Sequence, residues 1–188
     1  MGVNRMDIFE TVEAILDSNN GEINGRTAVQ KLVYLSSVII PELEIPSYKP
    51  HYYGPFSPEL GLALEKLVSY SFVDEVKIPG RMYEGYKYRL TPDGQDMVKI
   101  IKSDKPELYN KVKKVVTTCK EFCDLKIAPL SYAGKIFFML EKHPAEKRKM
   151  SYSDAIKEAS TLGWEISSDD VDQGVSLLEK LNLVKVVR

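Results

Sequence analysis

Residues that bind metals or carry redox chemistry are scarce in this chain, which has two cysteines, two histidines and one tryptophan among 188 residues. A structural zinc site takes four ligands, and His51 and His143 stand far from Cys119 and Cys123 in sequence, so no metal is expected. The two cysteines lie four apart in a helical pattern beside Val112, Val115, Val116 and Phe122, the setting of small core hydrophobes. Long apolar runs are missing as well. The stretch from Leu32 to Ile40 is broken by Ser36 and Ser37 and falls well short of the roughly 20 residues a membrane span requires. Residues 1–7 hold no apolar leader block, so a cytoplasmic protein with no membrane partner is expected. No Walker-type loop, dinucleotide fingerprint, metalloprotease motif or Gly-x-Ser-x-Gly turn occurs. His51 has no Asp, Ser or Cys near it in sequence that would make a nucleophile and base. The reading is of a protein that is not an enzyme and has no catalytic residues and no cofactor.

A strong overall charge is absent too, but the balance is local. Residues 1–100 hold 10 Lys and Arg against 14 Asp and Glu, residues 101–150 hold 12 against 6, and residues 151–188 hold 4 against 7. With 44% apolar and 28% charged residues the composition is that of a globular protein, long enough for one ample core or two small ones.

What the sequence does contain is a readable order of elements. Ile8, Phe9, Val12, Ile15 and Leu16 form a helical stripe that stops at Asn19-Asn20-Gly21. Residues 21–25, with two glycines, read as a connector. Ala28, Val29, Leu32, Val33, Leu35 and Ile39 repeat at helical spacing and end before Pro41. Gly54-Pro55 then turns the chain, Ser57 caps a third helix with Pro58 at its first position, and Leu60, Ala63, Leu64, Leu67 and Val68 make its stripe. Residues 72–78 and 86–90 are β-branched or aromatic and flank a loop with Pro79-Gly80 and Gly85, which predicts a two-stranded ribbon. Thr91-Pro92 opens a closing helix. Helix, helix, helix and ribbon in this order predict a winged helix-turn-helix: a mostly α chain with a small β-hairpin (α+β).

The words Gln30-Lys31-Leu32-Val33-Tyr34-Leu35 and Tyr53-Gly54-Pro55-Phe56-Ser57 resemble those of YwgA-type prokaryotic proteins, which are uncharacterised. More distantly they are similar to the Panacea (SocA-like) antitoxin domain, which has a comparable helix and a later Tyr-Gly-Pro turn. The resemblance spans residues 5–95. It implies a small regulator-like or antitoxin-like binding module and supplies no catalytic residues.

Beyond the ribbon, residues 104–124 form an amphipathic helix whose apolar arc is about 140° wide, suited to a hub between domains or a dimer seam. A further helical series follows, at 130–140, 151–162 and 169–181, with a strand read in Leu183-Val184-Lys185-Val186 after it. Leu177-Leu178-Glu179-Lys180-Leu181 echoes Ala63-Leu64-Glu65-Lys66-Leu67, so the end of the chain is either a second winged-helix-like half or an unrelated helical extension. The expected division is a winged-helix domain over 1–102, a linking helix over 103–126 and a helical, winged-helix-like domain over 127–188.

Two functions compete. In the first, a homodimeric regulator binds DNA, with Lys77, Arg81, Lys87 and Arg89 of the ribbon on the phosphate backbone and Lys66 nearby. The third helix itself exposes Glu59 and Glu65 and is a poor reader of DNA. In the second, an antitoxin-like or adaptor module binds a protein partner through Tyr52, Tyr53 and Phe56, aromatics beside a rigid turn. Basic residues at 142–149 read as a solvated connector.

Overall fold

The computed structural model describes residues 5–79, 85–144 and 149–185. The chain is mostly helical with small antiparallel sheets, in the order α1 (Ile8–Ser18), β1 (Glu22–Asn24), α2 (Arg26–Ile39), β2 (Lys49–His51), β3 (Gly54–Phe56), α3 (Pro58–Ser69), β4 (Val73–Ile78), β5 (Gly85–Leu90), α4 (Pro92–Asp104), α5 (Pro106–Cys123), α6 (Ile127–Glu141), α7 (Tyr152–Thr161) and α8 (Ser168–Lys180). Among the described residues no helix is long and apolar enough to cross a membrane.

Helix starts follow side-chain chemistry. Asp7 caps α1 in a reciprocal box with Glu10, Ser57 caps α3 ahead of Pro58, Thr91 caps α4 ahead of Pro92, and Ser167 caps α8 in a box with Asp170. Asp170 thus closes a helix start whose first turn also holds Asp169.

The chain divides into two compact units. The first comprises residues 1–47 and 57–117. The second comprises residues 48–56 and 118–188, so the aromatic turn expected within the first domain groups with the second unit, and α5 runs across the division. Leu108, Val112, Val115, Val116 and Cys119 of α5 are buried within one chain, so the apolar face read as a dimer seam is already covered.

In the first unit the connector read at 21–25 is a strand. β1 pairs antiparallel with β5 (Glu22 opposite Arg89, Asn24 opposite Lys87), β5 pairs with β4, and the sheet order is β1-β5-β4. A three-residue strand with glycines at both ends carries too little alternation to be seen in sequence. Its bonds continue beyond both ends, Gly25 N–H to the Tyr86 carbonyl at 2.7 Å and Leu90 N–H to the Gly21 carbonyl at 2.8 Å. Beneath lies a core that includes Val12, Ile15, Leu16, Leu32, Leu35, Leu60, Leu64, Leu67, Val98 and Ile101.

The second unit is built on α6, packed against α8 and against β3. Gly174 of α8 allows that approach: a Cβ there would stand 2.6 Å from Ile136 Cδ1 and 2.8 Å from the Tyr132 carbonyl carbon. Val184 and Lys185, expected to open a strand, are not in one. Val186 and Val187 lie outside the described residues.

Candidate functional site

Gln30 and Ser57, one from each of the two sequence words, meet in the interior of the first unit. The Gln30 side chain donates from Nε2 to the Ser57 carbonyl at 2.9 Å and accepts the Ser57 N–H on Oε1 at 3.0 Å, so one amide reads another as a strand would. Both residues are buried, and Ser57 Oγ accepts the Leu60 N–H at 3.2 Å. This places the start of α3 against α2 and explains why an amide side chain stands on a buried helix face. Sequence inspection singled out the words but missed this clamp.

Two of the ribbon cations are paired with a carboxylate of the neighbouring strand. Lys87 Nζ lies 2.9 Å from Glu22 Oε1, and Arg89 Nε lies 3.1 Å from Glu22 Oε2. Hydrogen bonds from Lys87 and then Arg89 hold the Glu22 carboxyl below its ordinary pKa. Lys77 stands in β4 opposite Tyr86, and Lys66 is exposed in the last turn of α3. Arg81, expected at the ribbon tip, lies outside the described residues, as do Lys147 and Arg148. Next to the Glu22 pairs, Arg26 Nε donates to the Tyr88 hydroxyl at 3.0 Å and Arg26 Nη2 pairs with Glu75 at 3.2 Å, while that hydroxyl donates to Glu75. Burial, followed by the Glu75 bond, pushes Tyr88 up to about 12. Cations and carboxylates on this sheet answer one another.

The aromatic turn is a true hairpin. Lys49 pairs with Phe56, Pro50 with Pro55 and His51 with Gly54, leaving Tyr52 and Tyr53 as a two-residue loop. Gly54, at φ 98°, takes the positive dihedral that the reversal needs. Two prolines face each other, so the middle of the hairpin has no N–H to offer. Anchorage comes from elsewhere: Trp164 Nε1 donates to the His51 carbonyl at 2.6 Å, and the His51 and Phe56 rings lie 5.0 Å apart. Phe56 is thereby turned onto the hairpin itself. Tyr52 and Tyr53 are 74% and 50% exposed, edge to face at 4.9 Å. Of the three residues expected to contact a partner, the two tyrosines are free to do so and Phe56 supports them. Trp164 went unnoticed because it is 113 residues away in sequence, and nothing local links an indole to a distant carbonyl.

Glu13 is a second residue missed. It is 2% exposed, with no hydrogen-bond partner on Oε1, and burial, then the charges of Asp7 and Glu10, raises its pKa to about 7. Its neighbours Val12, Ala14, Ile15 and Leu16 were the available signal. Among the described residues no group of His, Cys, Asp and Glu is arranged to hold a metal ion.

No family model matches the chain. It is similar to the uncharacterised protein YwgA of Bacillus subtilis (strain 168), with 28% identity over 170 residues that cover 89% of this chain and 92% of that protein. The similarity therefore extends well past the residues 5–95 on which the sequence words lie.

Proposed function

We propose that this chain is a protein-interaction module of adaptor or antitoxin type, built on a winged helix, whose anchor is the Tyr52-Tyr53 hairpin tip. The winged-helix reading is supported by the order α1, β1, α2, α3, β4, β5 and by a sheet in which β5 lies between β1 and β4. Between α2 and α3, where a helix-turn-helix has a short turn, this chain carries an 18-residue connection that includes the hairpin.

The observation that carries the interaction reading is the pair of exposed tyrosines on a two-residue loop whose base is fixed by Trp164 and Phe56. Tyrosine brings large contact area at low entropic cost, and a fixed loop lowers that cost further. The outer side of α3 agrees, with exposed Leu62 and Tyr70 beside Glu59, Glu65 and Lys66.

DNA binding by the ribbon is the second reading, supported by the element order and by Lys66, Lys77 and Arg81. Glu22 works against it, since a phosphate must compete with a carboxylate already held by Lys87 and Arg89.

The test compares the protein with a Tyr52→Ala/Tyr53→Ala variant of unchanged circular dichroism. Proteins captured from lysate by the native chain and lost by the variant are expected. Identical capture by both, together with duplex DNA binding that weakens steeply with salt, would replace this reading with the second.

A further inference from the structure

α6 is apolar along almost its whole length, with Leu130, Ala133, Ile136, Phe137, Met139 and Leu140 buried. Two polar side chains are buried among them, Ser131 at 3% and Lys135 at 7% exposure. They are four residues apart, hence neighbours on one helix face with Cβ atoms roughly 5–6 Å apart. Neither has a hydrogen-bond partner among the described residues. Ser131 Oγ is sealed from solvent and does not bond back to its own helix. The Lys135 ammonium lies over the Trp164 ring, 5.7 Å from its centroid.

The nearest carboxylate does not serve Lys135. Asp170 acts on it only at longer range, because its carboxylate is taken up by the Ser167 N–H at 2.8 Å, the Ser167 hydroxyl at 2.9 Å and the Tyr132 hydroxyl. Burial outweighs that distant charge and lowers the Lys135 pKa. A buried lysine whose ammonium has an aromatic face and no hydrogen-bond acceptor among the described residues is costly, and an apolar side chain of similar volume would fill the space at no such penalty. The pair is an acceptor-seeking arrangement, a cation over an indole and an unpartnered hydroxyl one helical turn away.

We propose that Ser131 and Lys135 bind the carboxylate of a small organic acid, with the hydrocarbon part of the ligand against Trp164. A carboxylate spans the two groups and takes a charge-assisted bond from Lys135 and a neutral one from Ser131. A single cation, with the Asp170 carboxylate at longer range, suits a monoanion and disfavours a phosphate dianion. The indole N–H is already given to the His51 carbonyl, so Trp164 offers the ligand its ring and not a donor. The site shares Trp164 with the hairpin that carries Tyr52 and Tyr53, but its proposed polar contacts, Ser131 and Lys135, are not part of that hairpin.

Trp164 is the sole tryptophan of the chain, so its fluorescence reports on this site and on the His51 carbonyl it holds, and the Ser131 and Lys135 variants separate the two. The full chain is titrated with benzoate, acetate and inorganic phosphate. A saturable change with benzoate, weaker with acetate and absent with phosphate, is expected. Lys135→Met, which keeps the volume, should weaken benzoate binding roughly 10-fold to 100-fold, and Ser131→Ala roughly 3-fold to 10-fold. The Ser131→Ala variant removes a single oxygen, so it carries the test should Lys135→Met fail to fold. Saturation by phosphate in preference to benzoate overturns the ligand class. The absence of saturation with all three, or equal benzoate affinity in the native chain and a folded variant, overturns the site.

Discussion

The two hairpins of this molecule settle their polar groups in opposite ways. The β4–β5 ribbon borders β1, whose Glu22 accepts from both Lys87 and Arg89, and its Tyr88 and Glu75 are engaged by Arg26. Its charge is largely consumed inside the sheet. The β2–β3 hairpin carries two neutral aromatics outward, takes the Trp164 indole on its His51 carbonyl, and leaves the tyrosine rings exposed. An element that balances its charges internally has less left for phosphate, whereas one held below its tip keeps that tip for a partner.

The most severe way to break this contrast is at the exit of the aromatic hairpin. Gln30→Ala leaves the Ser57 N–H and carbonyl buried without their amide partner and should cost roughly 2–4 kcal/mol, read as a lower urea midpoint with an unchanged slope.

Glu13 sharpens the comparison from the other side, as a carboxyl with no cation to answer it. Its folded pKa of about 7 lies above its ordinary 4.5, so the folded state holds the proton more tightly. Stability is therefore unaffected by this group below about pH 4.5, falls as pH rises through the window to about 7, and stays reduced above it. Glu13→Gln should flatten that fall and stabilise the protein at pH 8 by roughly 1–3 kcal/mol, measured by urea titration across the pH range.

Trp164→Phe removes the indole donor from the His51 carbonyl while keeping an aromatic ring. A loss of about 1 kcal/mol is expected, with faster amide exchange confined to residues 48–56. The smallest stability effect belongs to Glu22→Gln, a few tenths of a kcal/mol for a partly exposed cluster. Its sharper reading is electrostatic: with Lys87 and Arg89 released, retention of duplex DNA at low salt should rise by roughly 3-fold to 10-fold. If the native chain already binds as tightly as the variant, the internal balance of the ribbon is not what limits it.

Sequence reading recovered the helices best, because α1 to α4 bear an apolar stripe and α3 and α4 add a cap that can be named in advance, Ser57-Pro58 and Thr91-Pro92. It recovered the ribbon because six-residue β-branched or aromatic strands exceed the noise. Three-residue strands do not, so β1 passed for a connector and β2–β3 for a turn. The cations Lys87 and Arg89 looked available because Glu22 is 65 and 67 residues away, and only strand pairing brings it alongside. The tyrosines were visible by composition, but their rigidity depends on Trp164, which belongs to a different stretch of chain. Lys135 was legible in principle as a single charge inside an apolar helix.

The insertion of residues 48–56 into the second unit bears on how the molecule is made. Trp164 follows His51 by 113 residues. At about 5–20 residues per second, ribosomes take roughly 6–20 s to bring the indole to its carbonyl. A lone two-stranded hairpin is marginally stable in water. For that interval the nascent chain holds two tyrosines on a loop whose near end is tied by Gln30 and whose base has nothing yet to rest on. Translation speed between codons 57 and 164 is thus a determinant of how long this segment is open to chaperones and proteases, and synonymous codon changes there should alter yield without altering a single side chain.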